Sequence, residues 1–317
     1  MENGHAARKT QNGIQSRILN NFSFIGLAFI LILFEILTGG RLLGLRNLSN
    51  IFNNFFSIAM CGMMYTFVMA LGELDLSVGA IVGFSAAMGA FASSVSIYLI
   101  FPAALATGIC IGFLNGFSTS YLRVQSFLGT LAMSFVFRGL TTYYLNGSVG
   151  IPISMRRFDS MYVKIIALVV MFCLSFYLYN LNPFGKHVRA VGSSHEAARQ
   201  SGVDVKKTRL LAFVMTGFSC GLVGFFTLVR ACTASSKTGN AFEFDVLLAV
   251  LFGGMPLSGG WPVKLRSALI GALAMAALES GMSQAGLDGL VQQVIEGVIL
   301  IAVVAISFDR KNAGVIK

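Results

Sequence analysis

Charge is what this sequence most lacks. Only 11% of its 317 residues are Asp, Glu, Lys or Arg, against roughly 25% in a soluble globular chain. The deficit runs along the whole length and excludes an ordinary water-soluble domain. Tryptophan occurs once and proline five times. The three histidines, His5, His187 and His195, sit in polar segments without ligand-like clustering, which argues against a metal centre. None of the five cysteines (Cys61, Cys110, Cys173, Cys220, Cys232) forms a C-x-x-C pair, and four lie in apolar runs. Cysteine there behaves as a small buried hydrophobe, so neither a disulfide framework nor a zinc site is indicated. Phosphate-binding signatures are missing too: there is no G-x-x-x-x-G-K-S/T and no G-x-G-x-x-G after a strand. Gly185-Lys186 is followed by His187 and lacks the upstream glycine. With no nucleophile elbow and no H-E-x-x-H, the chain is not read as an enzyme.

What is present is apolar. Hydrophobic residues make up 56% of the chain and the mean hydropathy is +0.77. A helix crosses a bilayer with roughly 20 apolar residues, so this length holds about eight to ten spans, with no room for a separate soluble domain. Runs bounded by Gly, Asn, Pro or charge place the spans near 20–38, 51–71, 77–97, 99–120, 126–146, 161–181, 209–230, 243–257, 267–286 and 290–308. The eighth is short or re-entrant. The expected fold is an all-α polytopic membrane protein of about ten helices in two pseudo-repeated halves. Residues 1–21 form a cytoplasmic segment, 22–308 a single transmembrane domain with a charged loop at 182–209, and 309–317 a cytoplasmic tail.

The net charge of +10 would suit a nucleic-acid binder. Here the cations lie between apolar runs and at the two ends, which is the pattern of inside loops, so no nucleic-acid partner is expected. With the N-terminus inside, fifteen Lys and Arg fall in inside segments and seven outside, with Arg138 within a span. The run at 22–37 is followed by Thr38-Gly39-Gly40-Arg41 rather than a small-residue cleavage site, and reads as a retained first helix. The loop at 182–209 is the longest and most charged inside loop, and is expected to dock a cytoplasmic partner.

Internal echoes support the halves. Leu74-Asp75-Leu76-Ser77-Val78-Gly79 returns loosely as Met255-Pro256-Leu257-Ser258-Gly259-Gly260, and Leu114-Asn115-Gly116 as Leu278-Glu279-Ser280-Gly281. Repeated halves are common in transporters. Small residues crowd three helices: Gly79 to Ala90, Gly108 to Gly116, and Gly271 to Ala277. Such faces let helix backbones approach closely in lipid, either around a pathway or dimer contact or in plain bundle packing. Glu35, Arg138, Glu279 and Glu296 sit in apolar surroundings, and Glu73 and Asp75 at a broken helix. Glu35, Glu279 and Glu296 are placed near span ends, where a charge is cheaper. Asp75 is read as capping the helix that begins at Ser77.

The motifs then resemble a family. Gly72-Glu73-Leu74-Asp75-Leu76-Ser77-Val78-Gly79-Ala80 looks like the Gly-Gly-Ile-Asp-Leu-Ser-Val-Gly motif of permeases from ribose-, xylose-, arabinose- and galactose-type ATP-binding-cassette importers. Ser126 to Leu131 with Arg138-Gly139 resembles that family's Pro-Phe-Ile-x-Thr-Leu…Arg-Gly segment. Phe184 to Gly192 and Glu196 to Val203 resemble its long cytoplasmic loop, and Glu243-Phe244-Asp245…Gly253-Gly254…Leu257-Ser258-Gly259-Gly260 its later glycine-rich stretch. The likeness runs in order from about Asn47 to Asp309.

It implies a permease for a pentose or hexose in the cell membrane, paired with a second permease chain, homologous or identical. It also implies an ATPase (often two domains fused in one polypeptide) that holds ATP-Mg, and an extracytoplasmic sugar-binding protein. No cofactor is implied in this chain. Gly192, Glu196, Ala197, Ala198, Arg199, Ser201 and Gly202 would couple to the ATPase, with 196–202 as the coupling helix. Asp75, Ser77, Asn115, Thr130, Ser134, Arg138, Gly254 and Ser258 are pathway or gate candidates. Two departures stand out: Glu73 in place of the motif's second glycine, and Trp261-Pro262 after Gly260. Permeases for nucleosides or branched-chain amino acids, and ion-coupled carriers using Glu73, Asp75 or Arg138, share parts of this pattern.

Overall fold

The computed structural model describes residues 23–260 and 263–307; Trp261-Pro262 and both terminal segments lie outside the described residues. Helices fill every apolar run named above. They are α1 (Ser23–Leu37), α2 (Leu45–Ala70), α3 (Val78–Ala92), α4 (Ile100–Ser120), α5 (Ser126–Leu145), α6 (Met161–Phe176), α9 (Val205–Ala231), α10 (Phe242–Phe252), α11 (Leu265–Gln284) and α12 (Gly289–Ser307). Between α6 and α9 lie two polar helices, α7 (Pro183–Ser193) and α8 (His195–Gln200). Five helical stretches are long and apolar enough to cross a membrane outright: 45–70, 97–120, 161–181, 205–231 and 265–284.

The interruptions have local causes. α2 ends where Gly72 takes φ +74°, and seven residues pass before α3 begins. α10 stops after 11 residues, and Gly254, Gly259 and Gly260 then hold positive φ, a region open to glycine. These two interrupted segments, which echo each other in sequence, lie against each other. The Gly260 N–H donates to the Ala70 carbonyl at 2.8 Å, and a Cβ on Gly72 would sit 2.8 Å from the Ser258 carbonyl oxygen. At the opposite end, strands β1 (Ser148–Gly150) and β2 (Thr233–Ser235) pair antiparallel, a small departure from an all-helical chain.

The small-residue faces are spent on packing within the chain. Gly108, Gly112 and Gly116 of α4 press on the backbone of α9, Gly83 on the Thr238 carbonyl, and Gly271 on the Ala249 carbonyl. Around the core, large apolar side chains point outward: Phe29 and Ile36 on α1, Phe135 on α5, Ile166 and Val170 on α6, Val294 and Ile301 on α12. Water does not tolerate a girdle of that extent on a monomer; hydrocarbon does.

Candidate functional site

The break between α2 and α3 is buried, so its freed backbone groups need partners. Side chains of α2, of α5 and of the segment itself supply them. The Asp75 N–H donates to the Tyr65 hydroxyl of α2 at 3.1 Å, and the Leu76 N–H to the Thr130 hydroxyl of α5 at 3.1 Å. Asp75 Oδ1 accepts from the Ser77 N–H at 2.9 Å and from the Ser77 hydroxyl, while Asn115 Nδ2 of α4 donates to Ser77 Oγ at 2.7 Å. Asp75, Ser77, Asn115 and Thr130 are all fully buried. Four candidate residues thus meet at one point. They hold the interrupted segment in place.

One expectation is corrected in detail. Ser77, not Asp75, stands at the N-cap of α3, and its side chain makes no cap bond. The Asp75 carboxylate closes a local turn onto Ser77, a geometry that Asp favours outside helices.

Thr130, Ser134 and Arg138 repeat every four residues on α5 and so share a face. Ser134 is buried. Arg138 Nη2 pairs with Glu243 Oε2 at 2.7 Å and donates to the Gly239 carbonyl at 3.3 Å, while Nη1 donates to Asn240 Oδ1 at 3.1 Å. Gly79 makes room for this group: a Cβ there would strike the Glu243 carboxylate.

Glu279 lies five residues before the end of α11 and Glu296 seven residues after the start of α12, and their carboxylate oxygens lie within 4.8 Å of each other and of Asp245. Asn54 Nδ2 donates to Glu279 Oε2 at 2.8 Å. Groups so close can share a proton or a cation. A cavity of about 220 Å3 adjoins them, lined also by Lys237 and Asn240. Glu35, by contrast, stays near the end of α1, accepting from the Leu43 N–H at 3.1 Å.

The 182–209 corner is built from caps. Asn182 accepts from the Phe184 N–H, with Pro183 opening α7, as helix starts favour. Ser194 accepts from the Ala197 N–H to open α8. α8 closes with the Gly202 N–H on the Arg199 carbonyl and the Val203 N–H on the Ala198 carbonyl, both at 3.0 Å. Gly202 holds φ +83°, the left-handed closure that favours glycine.

On α8, Ala198 turns inward and is buried. Glu196 and Arg199 form an exposed ion pair at 2.8 Å, which holds the Glu196 carboxyl below its ordinary range. Ser201 donates back to the Ala197 carbonyl. Gly192 does not share this outward surface; it packs on the Ala70 carbonyl and Gly260. Gly254 and Ser258 lie exposed on the second interruption. Asp204 opens α9 by accepting from the Lys207 N–H, a bond that holds its carboxyl below the ordinary carboxylate pKa range.

Partial burial, then the nearby Arg209 cation, lowers the His195 pKa below its ordinary 6.5. The folded corner therefore disfavours the imidazolium, and its stability must decline as pH falls through about 6.5. Protection of residues 195–203 against hydrogen exchange, taken relative to the intrinsic rate at each pH, should fall between pH 7.5 and pH 5.5, and His195→Gln should remove the difference. An identical pH response in that variant would show that another group titrates.

Helices of this length and apolarity, the outward apolar girdle and buried polar groups partnered inside the bundle define a multi-pass α-helical membrane protein. Residues 47–304 match the family described as "Branched-chain amino acid transport system / permease component", and the chain belongs to that family. Over 92% of both chains it is 31% identical to the ribose import permease protein of Bacillus subtilis. Identity is 26% to the xylose transport system permease protein of Haemophilus influenzae, covering 91% of this chain and 96% of the other. For the L-arabinose transporter permease protein of Azospirillum brasilense it is 30%, covering 84% and 81%. No solved structure matches.

Proposed function

We propose that this chain is the permease subunit of an ATP-binding-cassette importer that carries a monosaccharide, a pentose or hexose, across the cell membrane. The likeness over nearly the full length of the ribose import permease carries the reading; the xylose and arabinose relatives point the same way.

In this reading ten helices span, with α10 the short one, and the halves are related through the two interruptions that meet at Gly72 and Ser258. Both termini and the 182–209 corner are cytoplasmic, residues 22–308 being one transmembrane domain. The ATPase subunit, which holds ATP-Mg and alone hydrolyses it, docks on α8 through Glu196, Ala197, Arg199, Ser201 and the turn at Gly202. A second permease chain completes the pathway, and an extracytoplasmic binding protein delivers the sugar. Exposed, capped and held at a fixed angle, α8 has the form a coupling helix needs. The break at Asp75–Ser77 is the gating element, with Ser134 and Arg138 further along the same face.

Tagged chain purified from its native cell in mild detergent should bring an ATPase with it. Glu196→Arg and Gly202→Val should lower that recovery about tenfold, a loss of ~1.4 kcal/mol of docking, while membrane insertion is unchanged. Normal recovery and normal sugar uptake in both variants would sink the assignment. Partner-free chain that accumulates sugar in liposomes under an ion gradient would replace it with a carrier.

A further inference from the structure

Glu73 stands where the resembled motif has glycine, and the structure gives it a partner. Its carboxylate forms an ion pair with the Arg209 guanidinium. The Glu73 side chain is 7% exposed and that of Arg209 22%, so the pair is shielded from most of the screening that weakens surface pairs. Arg209 lies in the second turn of α9 and also donates from Nη1 to the Thr119 carbonyl at the end of α4 at 3.3 Å.

The location is informative. Glu73 belongs to the interrupted segment, just before residues 75–77, where Asp75 bonds Tyr65, Leu76 bonds Thr130 and Ser77 bonds Asn115. Arg209 follows five residues after Asp204, which caps α9 directly behind the closing turn of α8. An unbroken chain of short contacts therefore runs from α8, through the Gly202 turn and the start of α9, across the ion pair, to the break. Gly192 on Ala70 provides a second contact between corner and bundle, but it grips the end of α2, before the break. Among the described residues, Glu73 and Arg209 form the one ion pair that joins the α8–α9 corner to the interruption itself.

We infer that the Glu73–Arg209 ion pair is the strut through which movement of α8 reaches the interrupted helix. The inference rests on the importer reading, with α8 as the docking helix. Glu73 and Arg209 are positioning residues: they touch neither ATP nor, by their place at this end of the bundle, the sugar's entry. A pair buried to this degree is costly to separate, so it moves as one body. Such a link converts rotation of α8 into displacement of residues 73–77.

The test uses the whole importer, co-purified from its native cell and placed in vesicles with its binding protein. Accumulation of D-ribose, D-xylose and L-arabinose is read beside ATP hydrolysis in the same vesicles. For the sugar taken up, Glu73→Gln and Arg209→Gln should each lower sugar moved per ATP about tenfold, with hydrolysis within about twofold of the unaltered complex. The double variant should fall no further than the worse single one, because the two groups act as a unit. An unchanged ratio overturns the strut. So do uptake and hydrolysis that fall together with the amount of assembled complex, or a double variant showing the product of two independent losses. If the unaltered chain brings no ATPase, the importer reading fails instead, which separates the two.

Discussion

Gly217→Leu should remove the folded chain from detergent extracts, whereas Gly297→Leu should leave it monodisperse. The α4–α9 contact is made of backbone. A Cβ added at Gly217 would strike the Gly108 carbonyl oxygen and lie 2.7 Å from Gly112 Cα; one added at Gly108 would lie 2.7 Å from Gly221 Cα. No flexible side chain stands at these points to swing aside, so a leucine can be housed only by parting the helices. α9 also packs on α3, where a Cβ on Gly224 would meet the Val82 carbonyl at 2.8 Å, so the displacement spreads to a second contact. Ordinary overpacking costs about 1–3 kcal/mol; separation of two helix backbones along several turns should exceed that. Gly297 has nothing within 4 Å of an added Cβ and serves as the control. Gel filtration of fluorescent fusions, followed by thermal melting, reads the difference. A Gly217→Leu chain that melts with the unaltered one would show that this contact does not hold the bundle together.

Half of that interface was visible in the sequence. Gly108, Gly112 and Gly116 recur every four residues, and a local period is enough to mark a small-residue face. Their partners on α9, Gly217 and Gly221, were not singled out, because nothing local says which helix a face meets. The same division holds elsewhere. Apolar runs located the helices to within a few residues, since span length is set by hydrocarbon thickness rather than by tertiary contacts. The apolar run alone starts α2 at 51, because the polar stretch holding Asn47 and Asn50 hides six helical residues; Asn47 is buried, accepting from Ser280 at 2.9 Å.

At the candidate site, the motif around Asp75–Ser77 announces a break, and the family resemblance marks Thr130 and Asn115 as pathway or gate candidates. That all of them close on one turn depends on packing across 38 to 54 residues of chain. Asp245 escaped notice as a member of an acidic group because its neighbours Glu279 and Glu296 are distant in sequence. The sequence shows Glu73 as a departure from the motif and a charge at a broken helix, but its ion-pair partner, Arg209, belongs to a helix 136 positions further on.

Arg138 and Glu243 are separated by 105 positions, and the consequences of removing either should be unequal. Glu243 lies in the first turn of α10, where the helix dipole favours a carboxylate. Without Arg138 that carboxylate keeps the dipole but loses its one ion-pair partner, in a side chain only 10% exposed. A stranded buried charge of this kind costs about 3–5 kcal/mol, and the 26% exposure of the Arg138 side chain argues for the lower end. Arg138 is better provided for when Glu243 is changed. It retains the Gly239 carbonyl and Asn240 Oδ1, and the amide oxygen of Glu243→Gln can still accept its N–H, so about 1–2 kcal/mol should be lost.

The order of melting in mild detergent should therefore be unaltered chain highest, Glu243→Gln next, Arg138→Gln lowest. The double variant should recover part of the loss of Arg138→Gln, because it carries no stranded charge. Equal losses from the two single changes would indicate that each residue matters for its shape rather than for its charge. A double variant worse than Arg138→Gln alone would mean that Glu243 holds α10 against α3 through contacts independent of Arg138.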